Sequence, residues 1–211
     1  MIDQINGLSI LTRSQMYYTQ TTGNQVSIFD YESHTFKNFN VPTPLSGPLG
    51  CRTSTDGALW FTEFFANKIG RLNATSGVIT EYNLPALAFG PAVMRVEDGP
   101  YMYFTALIGN GIGRINKETG ESEVFTYPIP LATPTENTKD SKGNVWFSTL
   151  ASNTLQYFTP STEKFTTIQL PGTLPLVPVP PVIDVPVNYG PGNNIWFAQF
   201  LTNKVGKYSL D

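Results

Sequence analysis

An aromatic residue recurs at nearly constant spacing along this chain. The recurring residues are separated by 43, 43, 43 and 50 positions, and they are Tyr17, Trp60, Tyr103, Trp146 and Trp196. Each stands in a short apolar run; two further short segments with β-forming residues follow the run in the first four copies, and one follows it in the fifth. Turn-forming residues separate the segments. Because a unit of several strands that repeats every ~40–50 residues is typical of a β-propeller, the spacing predicts that fold.

The copy between residues 58 and 85 shows the unit most clearly. Residues 59–62 are apolar β-formers, and residues 69–72 and 78–82 alternate between apolar and polar side chains. A segment ahead of each aromatic run falls in register from copy to copy, and we interpret it as the innermost strand of a blade. Copies of this segment are residues 6–10, 47–53, 90–96 and 133–139.

These repeats predict an all-β fold, a β-propeller of about five blades with four antiparallel strands each. We expect one domain over residues 1–211, with repeats near residues 5–42, 47–85, 90–128, 133–171 and 183–211. The fifth copy has no segment for an outermost strand, so the last blade is predicted to be incomplete. Three explanations stay open: the ring closes imperfectly, a second copy of the chain covers the edge, or the sequence is part of a longer one.

A second departure from the repeat is the proline-rich stretch at residues 172–192, which is about seven residues longer than its counterparts. Proline removes backbone donors and favours extended, rigid conformations. We therefore expect an ordered loop there and not a regular strand. The loop is either a spacer between blades or a hydrophobic lid over the mouth of the central channel.

Composition excludes several classes of partner. The formal net charge is −3 and the pI is near 5.2, which argues against nucleic acid and membrane surfaces as partners. No apolar run is long enough to span a bilayer, and the first residues lack the features of a signal peptide. Cys51 is the one cysteine, so no internal disulfide forms. These features predict a cytoplasmic location.

The mouth of a propeller is where the starts of the inner strands meet the loops that follow the aromatic strands. In this sequence those segments are mostly apolar, with a few amides and carboxylates, which predicts a hydrophobic small-molecule substrate. For Glu63 a structural alternative is an ion pair with Lys68. Candidate catalytic residues are Gln20, Glu63, Glu136, Asn137 and Gln199, and candidate substrate-binding residues are Leu49, Arg52, Phe64, Leu107, Thr149, Leu150 and Phe200.

Several motifs resemble the repeat of the streptogramin lyase (virginiamycin B lyase) family. They are Gly-Pro at 47–48, Asp-Gly at 56–57, Leu-Trp-Phe-Thr-Glu at 59–63, Asn-Lys-Ile-Gly-Arg at 67–71 and Gly-Val-Ile-Thr-Glu-Tyr-Asn-Leu-Pro at 77–85. The resemblance implies a metal-assisted elimination that opens a cyclic depsipeptide, with histidines and glutamates around a divalent cation at the channel mouth. It also implies a seven-bladed ring, which is more than the five repeats found here.

The sequence departs from that family pattern at the histidines. In the family a histidine commonly follows the Gly-Pro of the inner strand, but here those places hold Leu49, Ala92 and Thr135. The one histidine, His34, falls in a predicted surface turn, whereas Glu63 does match the glutamate after the Trp-Phe-Thr motif. We therefore expect no metal and no cofactor.

These departures lead to three functional hypotheses. The first is a metal-independent cyclase or pericyclase of the hetero-Diels–Alder type, which acts on a hydrophobic natural product by alignment and hydrogen bonding. The second is a streptogramin-type lyase. The third is a non-catalytic propeller that binds a ligand or a protein.

Overall fold

The computed structural model describes residues 5–86, 89–149, 154–170, 186–199 and 204–211, with backbone only for residues 5, 6 and 199. The described residues form nineteen strands arranged in five antiparallel sheets. This confirms the predicted all-β fold with blades of four strands. None of the described residues lies in a helix that is long and apolar enough to cross a membrane.

Within each sheet the strands are neighbours in chain order. Blade 1 contains β1 (Ile5–Ile10), β2 (Gln15–Gln20), β3 (Gln25–Asp30) and β4 (Thr35–Asn40); blade 2 contains β5 (Pro48–Thr53), β6 (Leu59–Glu63), β7 (Lys68–Leu72) and β8 (Ile79–Asn83). Blade 3 contains β9 (Val96–Asp98), β10 (Tyr101–Ala106), β11 (Gly111–Asn116) and β12 (Ser122–Thr126); blade 4 contains β13 (Pro134–Lys139), β14 (Val145–Thr149), β15 (Thr154–Thr159) and β16 (Lys164–Gln169). Blade 5 contains β17 (Val187–Gly190), β18 (Asn194–Gln199) and β19 (Lys204–Ser209).

The first strand of each blade is the innermost one, and β1 packs against β5 as β13 packs against β17. In blade 3 the regular inner strand is shorter than predicted and begins only at Val96. The preceding residues still pair with β10, because the Ala92 N–H donates to the Thr105 carbonyl at 2.8 Å and the Thr105 N–H donates to the Val93 carbonyl at 2.9 Å. The predicted position of this segment is therefore correct, but its geometry is irregular.

Among the described residues the fifth blade has three strands, which agrees with the predicted loss of its outermost strand. Its inner strand β17 corrects the expectation of a loop throughout residues 172–192. Pro186 and Pro191 flank this strand and do not interrupt it, so no proline removes a ladder hydrogen bond inside it. Residues 171–185 lie outside the described part of the chain, and the choice between spacer and lid stays a prediction.

In the described part of the chain the hydrophobic core forms four clusters, each shared by two neighbouring blades. Side chains on one face of β6, including Leu59 and Phe61, pack with Tyr17 of blade 1. On the opposite face of β6, Trp60 packs with Met94 and other apolar side chains of blade 3. Because side chains alternate between the faces of a strand, every internal blade contributes to two clusters. This explains why the blades need neighbours of the same kind.

Packing of a phenylalanine ring explains the glycine in the Ile-Gly-Arg motif. Gly70 lies opposite Phe61 in the β6–β7 ladder, and a Cβ at residue 70 would overlap the Phe61 ring. Gly113 stands in the same relation to Phe104 in blade 3. The glycine of the motif is therefore required by packing within the blade, because any larger residue at this position would occupy the space of the ring.

A buried hydroxyl group connects neighbouring blades at a repeated position. The Thr62 hydroxyl accepts the Gly50 N–H of its own blade at 2.9 Å and donates to the Ala92 carbonyl of blade 3 at 2.7 Å. Thr19 and Thr105 make the equivalent pair of bonds in blades 1 and 3. Together with the backbone bond from the Gly50 N–H to the Ala92 carbonyl at 2.9 Å, these bonds join the inner strands into one layer.

We expect Thr62→Val to lower the free energy of unfolding by about 1–3 kcal/mol, because the Ala92 carbonyl would lose a buried donor. Urea denaturation followed by tryptophan fluorescence measures the change. Thr80→Val on β8 is the matched control, since Thr80 is exposed and its replacement should stay within about 0.5 kcal/mol of the wild type. Equal effects of the two substitutions would contradict the interblade role of Thr62.

Candidate functional site

The end of the blades where inner strands start and aromatic strands finish is here called the mouth face. Ladder pairing defines it, because Gln20 lies opposite Ile5, Glu63 opposite Pro48, and Thr149 opposite Pro134. These three polar residues thus occupy the same place in blades 1, 2 and 4. Sequence analysis predicted that their side chains converge on a ligand, and the structure shows where each side chain lies.

Glu63 is fully buried in the space between blades 1 and 2. Its side chain is 0% exposed, and neither carboxylate oxygen has a hydrogen-bond partner within the described part of the chain. Burial raises the pKa of Glu63 to about 8, and the nearby negative charge of Glu81 contributes in the same direction. The group is therefore largely protonated at neutral pH, and can hold or accept a proton in that range.

The charged neighbours of Glu63 are paired with each other. Lys68 Nζ lies 3.2 Å from Glu81 Oε2, so the alternative in which Lys68 pairs with Glu63 is wrong. Thr43 completes this network by donating its N–H and hydroxyl to the two Glu81 oxygens, at 2.9 and 2.8 Å. The network uses the hydrogen-bonding groups of Lys68 and Thr43 and leaves Glu63 as a separate carboxyl group.

The equivalent residues in blades 1 and 4 form hydrogen bonds within their own blades. Gln20 Nε2 donates to the Ser27 hydroxyl at 2.8 Å and to the Tyr18 hydroxyl at 3.2 Å. Thr149 accepts a hydrogen bond from Gln156 Nε2 at 2.7 Å. Both side chains are buried. The structure thus places Gln20, Glu63 and Thr149 in equivalent positions, but Gln20 and Thr149 bond within their own blades, whereas Glu63 lies between blades 1 and 2.

An ion pair joins the inner strands of blades 3 and 4. Arg95 Nη1 lies 3.0 Å from Glu136 Oε2, and while the Glu136 side chain is only 3% exposed, that of Arg95 is 50% exposed. Arg52 belongs to the same layer, because its Nη1 donates to the Arg95 carbonyl at 2.6 Å. Arg95, which sequence analysis did not include among the site residues, is therefore the half-exposed cation of this layer. Arg95 follows Arg52 by one repeat of 43 residues, and this spacing was the sequence signal that could have identified it.

Asn137 has a structural explanation. Its Oδ1 accepts the Arg95 N–H at 3.0 Å, and its Nδ2 donates to the Val93 carbonyl at 3.2 Å. These bonds satisfy the irregular backbone that precedes β9. A catalytic role for Asn137 stays a prediction, but its amide already has two backbone partners.

The remaining candidates are apolar or lie outside the described residues. Phe64 and Leu107 are partly buried, whereas the residues that follow them, Phe65 and Ile108, are exposed. Leu49 is partly buried, and its carbonyl accepts the Thr19 hydroxyl at 2.6 Å. Leu150, Phe200 and the side chain of Gln199 lie outside the described part of the chain.

The divalent cation implied by the family resemblance does not fit the residues present. No group of three or more histidine, cysteine, aspartate or glutamate residues with metal-binding geometry occurs in the described ranges. His34, the one histidine of the sequence, occupies an exposed turn between β3 and β4 with a φ of 54°. We therefore derive no chemical step through a metal.

An asparagine with positive φ supports the mouth-face loops in three blades. Asn24, Asn67 and Asn110 have φ values of 52–55° and recur every 43 residues. Asn110 Nδ2 donates to the Ile129 carbonyl at 2.9 Å, and its Oδ1 accepts the Ala132 N–H at 2.8 Å. Sequence analysis used this residue only as part of a family motif. In each of these blades the asparagine directly precedes the third strand, and this constant position was the sequence signal for a role in supporting the loop.

Comparisons with known proteins agree with this architecture. The family described as the virginiamycin B lyase family matches residues 5–211. No curated protein matches the sequence. Selenomethionine-substituted virginiamycin B lyase from Staphylococcus aureus is 26% identical, with a TM-score of 0.84 over 98% of this chain and 67% of that chain.

Two further solved structures give the same result. A catalytically inactive histidine-to-alanine variant of the Staphylococcus aureus enzyme with quinupristin is 26% identical, with a TM-score of 0.86 over 99% of this chain and 67% of that chain. A streptogramin B lyase structure is 25% identical, with a TM-score of 0.81 over 99% of this chain and 70% of that one. The chain thus spans about two thirds of the length of these enzymes. By its sequence match and its blades, the chain belongs to the virginiamycin B lyase family.

Proposed function

We propose that the protein is a lyase of the streptogramin type, which opens the ring of a cyclic depsipeptide by elimination. The observation that carries this proposal is the family match over residues 5–211, supported by the superposition on enzymes named as virginiamycin B and streptogramin B lyases. The quinupristin present with one of those enzymes supports a cyclic depsipeptide as the ligand class. The elimination replaces the sequence-based preference for a cyclase.

An elimination of this kind makes two demands on a protein. A base removes a proton from the carbon next to a carbonyl, a C=C bond forms, and the ester C–O bond breaks so that its electron pair leaves with the carboxylate. A second group stabilises the negative charge that develops on the carbonyl oxygen.

The inner-strand ion pair offers both groups without a metal. Glu136 is a carboxylate held 3.0 Å from Arg95, and we propose it as the base. Arg95 is half-exposed, and its guanidinium has further N–H groups that can donate to a carbonyl oxygen. In this proposal Glu136 accepts the proton and Arg95 stabilises the developing charge. Glu63 and Glu136 are both buried, but only Glu136 is paired with a half-exposed cation that can contact a substrate.

Incubation of the protein with quinupristin tests the proposal directly. Mass spectrometry and NMR should detect a linear product of unchanged mass that contains a new C=C bond. Parallel reactions with added magnesium and with a chelator establish whether a metal contributes. We expect Glu136→Gln to slow product formation by about 10²-fold. Intact quinupristin after long incubation with correctly folded protein in both metal arms would overturn the proposed lyase.

A specific observation keeps the cofactor-independent cyclase as a second candidate. The inner-strand positions where the family commonly carries histidine hold Leu49, Ala92 and Thr135 here, so the chain lacks the residues that the resemblance assigns to metal-assisted chemistry. A cycloaddition requires alignment and hydrogen-bond donors more than a base. An unchanged product ratio and stereochemistry in the presence of the protein, with reactive diene and enone model compounds, would exclude this candidate.

A further inference from the structure

One face of blade 1 is not covered by another blade in the described part of the chain. The opposite face of this blade carries Tyr17 and packs against blade 2. In blades 2–5 the face that corresponds to the uncovered one packs against the preceding blade. We call the uncovered face of blade 1 the free face, and its apolar side chains are Leu8, Ile10, Met16, Tyr18, Phe29 and Phe36.

The exposure of the free face contrasts with the burial of its counterparts in other blades. Leu8 is 61% exposed, whereas Met94, which occupies the same place two repeats later, is 0% exposed. Phe36 is 62% exposed, although the ring of Phe29 on the neighbouring strand stacks on it with the centroids 4.7 Å apart. Exposed apolar side chains collected on one face mark an interaction site more often than scattered ones do.

A continuous apolar row crosses all four strands of the free face. Ladder pairing aligns one residue from each strand, and in chain order these are Ile10, Met16, Phe29 and Phe36. The two ends of the row are its most exposed members, because Ile10 is 74% exposed and Phe36 is 62% exposed. Since each end can cover the opposite end of an identical row, the row is self-complementary about a two-fold axis.

We propose that the free face binds the free face of a second copy of this chain, in a dimer whose two-fold axis runs parallel to the strands. The axis passes between β2 and β3, so β1 of one copy lies opposite β4 of its partner. Ile10 of each copy then contacts Phe36 of the other copy, and Met16 contacts Phe29. This inference goes beyond the proposed lyase, because it concerns the side of blade 1 and not the mouth face.

Charged residues at the end of blade 1 opposite the mouth face agree with the same axis. Arg13 lies in the turn between β1 and β2, Glu32 lies in the turn between β3 and β4, and both residues are exposed. The two-fold axis brings the first of these turns in one copy against the second turn in the other copy, so each Arg13 faces a Glu32. Opposite charges that meet across an interface fix its register and suppress alternative arrangements.

The uncovered face of blade 5 is less suited to this contact. Trp196 on β18 is 40% exposed there, but the residues opposite it in the ladders are Asn188 and Lys207, which are polar and exposed. A contact between blade 5 of one copy and blade 1 of another would also leave an uncovered face at each end, so copies would be added without closure. The apolar row of blade 1 therefore favours a closed dimer over a chain of copies.

Sedimentation velocity tests the dimer at protein concentrations from about 1 to about 100 µM, a range suited to an interface of modest area. At the upper end we expect a species with twice the 23.3 kDa mass of the chain. Ile10→Ser and Phe36→Ser should each weaken the dimer about tenfold. The matched control is Ile108→Ser, because Ile108 is 54% exposed but lies on the mouth face of blade 3, and this variant should associate like the wild type.

An exchange of charges tests the two-fold axis itself with variants at exposed positions, whose folding circular dichroism verifies. Arg13→Glu and Glu32→Arg should each weaken the dimer about fivefold, and the double variant should restore it, because opposite charges then meet again across the axis. Single variants without effect, or a double variant without rescue, would overturn the proposed arrangement. A monomer at every concentration would overturn the dimer, as would species larger than a dimer that Val205→Ser on the uncovered face of blade 5 removes.

Discussion

Glu63→Gln is expected to stabilise the folded protein by about 3 kcal/mol at pH 7, since it removes the cost of ionising a buried group. The ordinary pKa of the carboxyl is 4.5, and burial raises it to about 8 in the folded state. At pH 7 the unfolded chain therefore carries an ionised Glu63, whereas the folded chain keeps this group mostly protonated. Glutamine has the same shape and carries no proton to exchange, so it avoids this difference.

The stabilisation by Glu63→Gln is expected to depend on pH. A folded-state pKa above the unfolded value means that Glu63 costs nothing below pH 4.5, and that its cost grows as the pH rises from 4.5 to about 8. The advantage of Glu63→Gln should follow the same course and become constant above pH 8. Urea denaturation of wild type and variant at intervals between pH 4 and 9 measures this. A variant that is less stable than the wild type at pH 7 would mean that the ionised carboxylate has a partner in the folded state.

A stabilising Glu63→Gln substitution would also bear on function. Proteins commonly retain destabilising groups where the chemistry or the binding of a ligand requires them. Glu63 keeps both of its carboxylate oxygens without a hydrogen-bond partner, although Lys68 and Thr43 stand close by and bind Glu81 instead. Packing alone gives no reason for a carboxyl group in this place, and Thr149 and Gln20 show that neutral residues fill it in other blades.

The fold was predictable because its signals are periodic and local. Trp60 and its counterparts fix the second strand of each blade, and the glycine of the Ile-Gly-Arg motif follows from a ring that lies across the ladder. β17 was not predictable in this way, since its short run stands between Pro186 and Pro191 in a stretch where other prolines suggest a loop. A proline shows where a strand hydrogen bond cannot form, but it does not determine whether the residues between two prolines form a strand.

The site was predicted less well, because orientation depends on register and on neighbouring blades. Sequence position places Glu63 at the mouth face correctly, yet its side chain points between blades 1 and 2 with Phe61 and not toward the other candidates. Phe64 and Phe65 are adjacent and chemically identical, and only the contact of Phe65 with Gly47 shows which ring is presented to solvent. Likewise, the partner of Glu136 became visible only when blades 3 and 4 were placed side by side.

Glu97→Gln is expected to lower the free energy of unfolding by about 3 kcal/mol, the opposite of the effect at Glu63. Glu97 lies on β9 with a side chain 7% exposed, and it forms an ion pair with Lys117. Its Oε1 also accepts the hydroxyls of Ser54 and Thr55 at 2.8 and 2.7 Å, so it ties a turn of blade 2 to blade 3 at the end opposite the mouth face. Glutamine cannot neutralise Lys117, whose side chain is only 12% exposed.

Glu63 and Glu97 differ in their partners, and pH separates their effects on stability experimentally. Burial by itself would raise the pKa of Glu97, but Lys117 and the hydroxyls of Thr55 and Ser54 outweigh it and lower the pKa to about 2. The stability from Glu97 is therefore present above pH 4.5 and is lost as the pH falls toward 2, whereas Glu63 is costly only at higher pH. Urea denaturation between pH 3 and 7 should show a larger loss in wild type than in Glu97→Gln, because other carboxyl groups with a lowered pKa, such as Glu81, titrate in both proteins. Glu121→Gln, an exposed control in the same blade, should change stability by less than about 0.5 kcal/mol. An effect at Glu97 no larger than this would mean that the Glu97 carboxylate contributes nothing to joining blades 2 and 3.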